Sequence, residues 1–417
     1  MGAAPSATYS ERQNQDLDSS FKAYLKNCKT ESKIISQETI RSIQSHLAKG
    51  DLPGAHSVIS DALKNIDDIP LNIAVTGDSG SGKSSLVNTL RGIGDEGEDA
   101  APVGAKDTTM ERKPYKHPKF PSVTIWDLPG FGTPNFQLKG YLDKVKFGEY
   151  DLFIIVSASF FTKYDLELAK GIRAMKKNFY LVRTKVDFDL QNEQQFKPTT
   201  YEREKVLEEI RNNSLKEFYK NDIELQTFLI SNKDSSEFDF SILMDTLLKD
   251  LPNQKRNKFM LSLPSITEAA IEKKKESLKQ NIWLGAVKDG ILATLPMASV
   301  FKDNDVEKLQ ASLHQYRVCF GVDDESLQIL AKDLRGHVEE LKAIIKSPYL
   351  LDTEQDETIG EKLLKFLDGL SSADGGLLAT GLYFRQIYLQ FHFLDIVAND
   401  AKVLLKEAYS RKQLTYH

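Results

Sequence analysis

The chain has few cysteines, and this limits the folds that it can adopt. Its 417 residues include only two, Cys28 and Cys319, which lie far apart and show no metal-ligand spacing. We therefore expect neither a disulfide framework nor a cysteine-based metal site. A reducing, cytoplasmic compartment is the favoured location.

The chain also lacks a long apolar run and an excess of positive charge. Its most apolar stretch, Gly290–Phe301, contains Pro296 and is too short to span a bilayer. The first residues are small and polar, without the apolar segment of a secretory signal peptide. The formal net charge of −5 gives no case for a nucleic-acid partner, because a phosphate-tracking surface is normally basic.

What the chain does contain is a series of short β-rich runs that alternate with helical patterns. Nearly continuous apolar strands that alternate with helices indicate a parallel sheet covered on both faces. We therefore expect an α/β domain from about residue 69 to residue 250. The predicted strands are Leu71–Thr76, Val123–Trp126, Leu152–Ser157, Phe179–Arg183 and Phe228–Ile230, and the predicted helices are Ser84–Gly92, Asp165–Lys176 and Arg203–Phe218.

Helical periodicity dominates on both sides of this domain. Residues 17–68 carry apolar residues at helical spacing, and so do several segments of residues 251–417. Residues 1–16 are interpreted as a flexible polar tail. Because two helices alone would struggle to bury an apolar stripe, we expect the N-terminal and C-terminal helices to form one helical domain.

A phosphate-binding loop (P-loop) directly follows the first predicted strand. Its pattern, G-x-x-x-x-G-K-[ST], is matched in full by Gly77, Asp78, Ser79, Gly80, Ser81, Gly82, Lys83 and Ser84. The glycines let backbone N–H groups curl around phosphates, and the N-terminus of the following helix, which includes Ser85, adds a favourable dipole. We expect Lys83 to reach the β- and γ-phosphates, and the Ser84 hydroxyl to bind Mg²⁺.

A second motif, Asp-Leu-Pro-Gly at residues 127–130, follows the second predicted strand. An acidic residue at this strand end can hold Mg²⁺, usually through water, so Asp127 is the second predicted metal ligand. The N–H group of Gly130 is expected to meet the γ-phosphate.

A third motif, Thr-Lys-Val-Asp at residues 184–187, is interpreted as the element that reads the base. The carboxylate of Asp187 can accept from both N1–H and the 2-amino group of guanine, a donor pair that adenine lacks. An unpaired carboxylate would penalise ATP, so Asp187 specifies GTP. Thr184 opens this motif, and the stem of Lys185 can cover the base face. Backbone N–H groups of Ser231 and Asn232 are expected to complete the base contact.

The loop between the P-loop helix and Asp127 is expected to sense the γ-phosphate. Thr108 and Thr109 are adjacent candidates for a Mg²⁺-binding hydroxyl. Ras-like enzymes place a Gln just after the D-x-x-G motif to orient the attacking water, but here that residue is Phe131. Either hydrolysis is very slow, or other groups orient the water, such as Asp107 or groups of a second subunit. We therefore expect hydrolysis to depend on self-association.

Together these motifs resemble a known family. The segments GDSGSGKSS, APVGAKDTTMER, IWDLPGFGT and VRTKVD, set between helical flanks, look like those of the interferon-inducible immunity-related GTPases. The sequence Gly-Lys-Ser at residues 82–84 is similar to that of their GKS effector group rather than to that of the GMS regulators. The resemblance implies a Ras-like G domain, with a mixed, mostly parallel sheet, joined to a helical domain built from both terminal segments.

The resemblance also implies a biological role. It implies GTP-dependent homo-oligomers formed through G-domain faces, hydrolysis activated in the dimer, and interactions with related GTPases, including GMS-type regulators. Members of this family defend cells against intracellular pathogens, bound peripherally to the membranes of pathogens or of their vacuoles. A switch-loop acid acts between subunits in the family, and Asp107 lies at its position as Asp in place of Glu. The family context and the N-terminal pattern Met-Gly-x-x-x-Ser indicate N-myristoylation of Gly2.

Three other functions remain open. The main alternative is a low-turnover nucleotide-binding switch or scaffold that regulates other GTPases. A monomeric signalling switch is disfavoured by Phe131 and by the large helical domain. An ATPase is disfavoured by Asp187.

Overall fold

The structure, a computed structural model, contains two compact units. One comprises Pro70–Thr267, and the other is formed by the residues on either side of it, up to Ile69 and from Glu268 onward. The described residues are 33–97, 99–104, 111–130, 138–221, 225–235, 237–292, 303–353, 358–359, 361–363, 365 and 382–415.

The central unit is built on a six-stranded sheet with the order β2-β3-β1-β4-β5-β6. Neighbouring strands run parallel, except that β2 pairs antiparallel with β3. Every residue of β4 is buried, as expected for a central strand covered on both faces. The strands are β1 (Leu71–Gly77), β2 (Lys113–Lys116), β3 (Val123–Asp127), β4 (Leu152–Ser157), β5 (Asn178–Arg183) and β6 (Thr227–Leu229).

Helices surround this sheet and make up the second unit. The described residues also form two short 3₁₀ helices, Phe147–Glu149 and Ser347–Tyr349. In chain order the helices are α1 (Gln37–Ala48), α2 (Leu52–Asp68), α3 (Lys83–Arg91), α4 (Leu138–Lys144), α5 (Lys163–Ala174), α6 (Val186–Phe196), α7 (Arg203–Ser214), α8 (Lys216–Tyr219), α9 (Phe240–Asp250), α10 (Asn253–Ser262), α11 (Glu268–Leu292), α12 (Asp303–Phe320), α13 (Asp324–Asp333), α14 (Val338–Ala343) and α15 (Leu382–Thr415).

Two local predictions differ from the structure. Strand β2 was missed because its sequence, KPYK, has no apolar alternation and only Tyr115 is buried. Its position at the sheet edge explains this, since an edge strand tolerates both exposed lysines and a proline. The helix predicted over Arg203–Phe218 is interrupted at Leu215, where α7 ends and the short α8 begins.

Aromatic residues form much of the core on one face of the sheet. The ring of Phe153 on β4 stacks on that of Phe147, with centroids 4.0 Å apart. Tyr150 meets Phe153 edge-on, and residues of α5 and α8 close the same cluster. Burial of such large rings stabilises the sheet and thereby fixes the positions of the loops at its ends.

The helical unit has its own core, which draws on both ends of the chain. Ile43 of α1, Ile59 of α2 and Trp283 of α11 belong to one buried cluster. The long helix α15 packs along α11 and α12. The predicted helical domain made from N-terminal and C-terminal segments is therefore confirmed. Among the described helices, none combines the length and apolar character needed to cross a bilayer.

Candidate nucleotide-binding site

The P-loop joins β1 to α3 through glycines whose φ angles are positive, a conformation that other residues rarely adopt. Gly77 has a φ of +143°, and a Cβ there would lie 2.0 Å from the backbone oxygen of Val156 on β4. Gly82, directly before α3, has a φ of +87°. These backbone conformations let the chain reverse sharply into the N-terminus of α3, where the helix dipole favours an anion.

Side chains suited to phosphate and Mg²⁺ meet beside this loop. The buried Lys83 donates from Nζ to the Asp78 carbonyl at 2.8 Å. The Ser84 hydroxyl donates to Oδ2 of Asp127, the buried last residue of β3, at 2.7 Å. Hydroxyl and carboxylate oxygens are hard ligands of the kind that Mg²⁺ prefers, so this pair fits the ion.

Two other predicted phosphate-site residues lie next to these side chains. A Cβ at Gly130 would lie 3.4 Å from the Ser79 nitrogen, which places the backbone of the D-x-x-G motif against the P-loop. Ser85 lies in the first turn of α3. The structure therefore brings the first two motifs together at one edge of the sheet.

The third motif is tied to the P-loop by two side chains. The buried Thr184 donates from Oγ1 to the Ser81 carbonyl at 2.6 Å. Lys185 donates from Nζ to the Gly80 carbonyl at 2.9 Å. Lys185 also has a φ of +60°, which turns the chain so that α6 begins at the next residue.

Asp187 lies in the first turn of α6 and is partly exposed. Within the described part of the chain, its carboxylate has no hydrogen-bond partner that would compete with a base. On the same helix, the ring of Phe188 lies 4.0 Å from Nζ of Lys233, measured to the ring centroid. This cation–π contact links α6 to the loop that follows β6.

That loop contains Ser231 and Asn232. Ser231 is buried, and its hydroxyl accepts from the Lys233 backbone N–H at 3.2 Å. The side chain of Asn232 donates from Nδ2 to the Gly82 carbonyl at 3.1 Å. Sequence reasoning assigned only a backbone role to Asn232, because nothing in the pattern indicates a contact between residues so distant along the chain.

Five predicted residues lie outside the described residues. These are the lipidation candidate, the two switch threonines, the switch acid and the residue after the D-x-x-G motif: Gly2, Thr108, Thr109, Asp107 and Phe131. The roles assigned to them stay predictions.

The sequence also contained no indication of the contacts made by Arg112, the residue directly before β2. Arg112 donates from Nη1 to Glu149 Oε2 at 2.5 Å and to the Tyr150 hydroxyl at 3.3 Å. Its guanidinium carbon lies 4.8 Å from the ring centroid of Trp126. The hydrogen bond from Arg112 lowers the pKa of Glu149. This cluster fixes the chain shortly after the predicted switch threonines, and a lone arginine gave no signal of it.

A buried acid, Asp165, lies at the start of α5. Its Oδ2 accepts from the Thr162 backbone N–H at 2.7 Å, and the Thr162 hydroxyl accepts from the Asp165 backbone N–H at 3.4 Å, so the pair forms a capping box. The same hydroxyl also donates to Oδ2 at 2.8 Å. Burial raises the pKa of Asp165 to about 6, with the charge of Asp78 adding in the same direction, and this outweighs the hydrogen bonds from Thr162. Asp165 therefore keeps its proton to a higher pH than an ordinary aspartate does.

The sheet order, the P-loop and the loops around it define a P-loop G domain. The model of the interferon-inducible GTPase family (IIGP) matches residues 36–408 of the chain. The chain therefore belongs to the interferon-inducible GTPase family, which confirms the resemblance at the family level.

Individual relatives agree with this assignment. The chain is similar to interferon-gamma-inducible GTPase 10 of Mus musculus, with 50% identity over 409 residues, covering 98% of this chain and 97% of that protein. It is 50% identical over 397 residues to interferon-inducible GTPase 1 of Mus musculus, with coverages of 95% and 96%. Identity to interferon-inducible GTPase 5 of Bos taurus is 35% over 394 residues, with coverages of 92% and 84%.

We expect Asp165→Asn to stabilise the protein in a pH-dependent way. The folded-state pKa of Asp165 lies above its ordinary value of 3.8, so the folded protein binds this proton more tightly than the unfolded chain does. Proton binding by Asp165 therefore stabilises the fold at low pH, and this stabilisation is lost as the pH rises to about 6. Asn keeps an oxygen for Thr162 but cannot ionise. At 1.36 kcal/mol per pKa unit, the variant should gain about 2–3 kcal/mol at pH 7.5 and about 1 kcal/mol at pH 4.5.

The measurement is urea unfolding at both pH values. Unfolding is monitored by the fluorescence of Trp126 in a Trp283→Phe background. Asp143→Asn, which removes an exposed carboxylate from the same unit, is the control and should show no such gain. If Asp165→Asn is no more stable at pH 7.5 than the protein with Asp165, the raised pKa assigned to Asp165 is contradicted.

Proposed function

We propose that this GTPase binds GTP with Mg²⁺, hydrolyses it to GDP and phosphate, and completes its catalytic site by pairing with a second copy of the chain. The observation that carries the proposal is the convergence of three motifs at the carboxyl edge of one sheet. The P-loop follows β1, Asp127 ends β3, and Thr184 follows β5. In open α/β sheets, ligands bind at this edge of the strands.

The first two motifs bind the phosphates and the metal ion in this proposal. Lys83 neutralises charge on the β- and γ-phosphates, and the backbone N–H groups of the P-loop and of Gly130 donate to phosphate oxygens. Ser84 and Asp127 hold Mg²⁺, with Thr109 as the proposed third protein ligand. Mg²⁺ held by these residues would supply positive charge that offsets the negative charge of the phosphates.

The base is selected by the third motif. Asp187 accepts two hydrogen bonds from guanine, while the stem of Lys185 covers one face of the base. An adenine would leave the carboxylate opposite a base without the matching donors, which costs about 1–3 kcal/mol for each unsatisfied group.

Self-association is proposed because the chain lacks a glutamine at position 131 to orient water. Asp107 or groups of the second copy take this role in the proposal. Phe160 supports a protein partner at this edge, since it lies three residues after β4 and its side chain is 61% exposed. Large exposed aromatic residues are enriched in protein–protein contacts. The alternative, a low-turnover switch or scaffold that regulates other GTPases, also accounts for Phe131.

The wider role is proposed from the family. Relatives carry the name interferon-inducible GTPase. The Gly-Lys-Ser sequence at residues 82–84 supports the proposal that this chain belongs to the effector group. We assign it to the cytoplasmic face of intracellular or pathogen-containing vacuole membranes, in cell-autonomous defence alongside related GTPases, including GMS-type regulators. Myristoylated Gly2 would supply one weak anchor per chain, and oligomerisation would multiply it.

Asp187→Asn should change the base preference from guanine to xanthine. The asparagine oxygen still accepts from N1–H, and its amide nitrogen donates to the C2 carbonyl that xanthine carries in place of the 2-amino group. We expect affinity for GDP to fall by about 100-fold, as two hydrogen bonds to a charged acceptor are weakened, and affinity for xanthosine diphosphate to rise. Calorimetric titration with both nucleotides measures this. Glu193→Gln, on the same helix, is the control, and an unchanged preference for GDP would remove Asp187 from the base site.

The rate of GTP hydrolysis per chain should rise with protein concentration. A shared catalytic site exists only in the dimer, so the specific rate of GDP formation follows dimer occupancy. Lys83→Ala should abolish turnover, and Phe160→Ala should shift the rise to higher concentration with little change in nucleotide affinity.

A specific rate that is independent of concentration would contradict the shared site. Failure to form GDP at any concentration, with normal GTP binding, would favour the low-turnover scaffold instead.

Gly2→Ala should abolish both acylation and vesicle binding. Co-expression with an N-myristoyltransferase should add one myristoyl group to the wild-type chain, detected by intact-mass measurement. In sedimentation with phosphatidylcholine–phosphatidylserine vesicles, the acylated chain should bind more strongly with a non-hydrolysable GTP analogue than with GDP, because oligomers carry several anchors. Unacylated wild-type protein is the control. Equal binding by Gly2→Ala would show that another surface carries membrane attachment.

A further inference from the structure

We propose that Asn232 is a positioning residue for the phosphate-binding loop, and not only a provider of a backbone N–H group to the base. Its side-chain amide holds the peptide between Gly82 and Lys83 in the orientation that aims the Lys83 N–H at the phosphates. This inference rests on the proposed nucleotide site and concerns how that site is held in shape.

The Gly82 carbonyl is the contact point. It accepts from Asn232 Nδ2 at 3.1 Å and from the Leu86 N–H at 2.9 Å, the first hydrogen bond of α3. Both of its lone-pair directions are therefore occupied. Because the peptide is planar and trans, the N–H group of Lys83 points opposite to this carbonyl. Holding the carbonyl toward Asn232 thus holds the N–H group toward the other side of the loop.

The two loops approach so closely that their contact depends on both residue types. A Cβ at position 82 would lie 3.3 Å from Asn232 Nδ2, and Gly82 already needs its positive φ. The acceptor also fixes the orientation of the amide, since a carbonyl cannot face the Oδ1 of Asn232. An asparagine at position 232 is consequently matched to a glycine at position 82.

Asn232 completes a series of contacts to successive carbonyls. Lys185 donates to the Gly80 carbonyl, Thr184 to that of Ser81, and Asn232 to that of Gly82. The first two donors come from the loop after β5, and Asn232 comes from the loop after β6. Side chains of both base-reading loops therefore donate hydrogen bonds to the backbone of the phosphate-binding loop.

The test compares two diphosphates that differ only at the group read by Asp187. Inosine diphosphate lacks the 2-amino group of GDP but carries the same phosphates. With Mg²⁺ present, Asn232→Ala should raise the Kd for both by the same factor, about three- to tenfold, the effect of one lost hydrogen bond. The ratio of the two Kd values should stay that of the wild type.

A second variant distinguishes loss of the hydrogen-bond donor from loss of side-chain packing, since Asn232→Ala removes both. Asn232→Asp keeps the shape of the side chain but replaces the donor by an acceptor, so it should weaken both nucleotides at least as much as Asn232→Ala. Ser235→Ala, in the same loop, is the matched control and should bind as the wild type does. Circular dichroism melting without nucleotide checks that each variant folds.

Two results would overturn the inference and leave the proposed nucleotide site intact. Unchanged affinities in both Asn232 variants would mean that the side chain does not hold the P-loop. A loss confined to GDP, with inosine diphosphate unaffected, would make Asn232 a reader of the base. If the wild-type chain itself binds no GDP, the proposed nucleotide site is wrong, and this inference falls with it.

Discussion

Three successive carbonyls of the P-loop, those of Gly80, Ser81 and Gly82, face the loops that follow β5 and β6. Each one accepts a hydrogen bond from a side chain of those loops. In a planar peptide the N–H group that follows each carbonyl points the opposite way. We therefore propose that the affinity of the loop for phosphate depends on donors that belong to the predicted base-reading loops.

The parallel sheet makes these contacts possible. Parallel strands end at one edge, so loops that follow β1, β5 and β6 meet although they are far apart in the sequence. The backbone is joined there as well, since the Thr184 N–H donates to the Ser157 carbonyl at the end of β4 at 2.9 Å. The fully buried β4 thus acts as the rigid support on which the loops rest.

Most of the sheet was predictable because its parallel strands are short apolar runs followed by motif residues. Strand β2 was not, since an edge strand with lysine and proline carries no apolar pattern. The motifs likewise predicted that the P-loop, Asp127 and Thr184 meet at one edge of the sheet, while the chemical roles of Lys83, Ser84 and Asp187 stay predictions. The contacts of Asn232 with Gly82 and of Arg112 with Trp126 were beyond prediction, because they join residues that only the folded sheet brings together.

Calorimetric titration of the wild-type protein with GDP and with ADP, each with Mg²⁺, tests the central claim most directly. That claim is a single site in which the guanine-reading loops and the phosphate loop act together. GDP should bind at least about 100-fold more tightly than ADP, because adenine leaves the Asp187 carboxylate without its partners. Equal affinities for the two nucleotides would contradict the account.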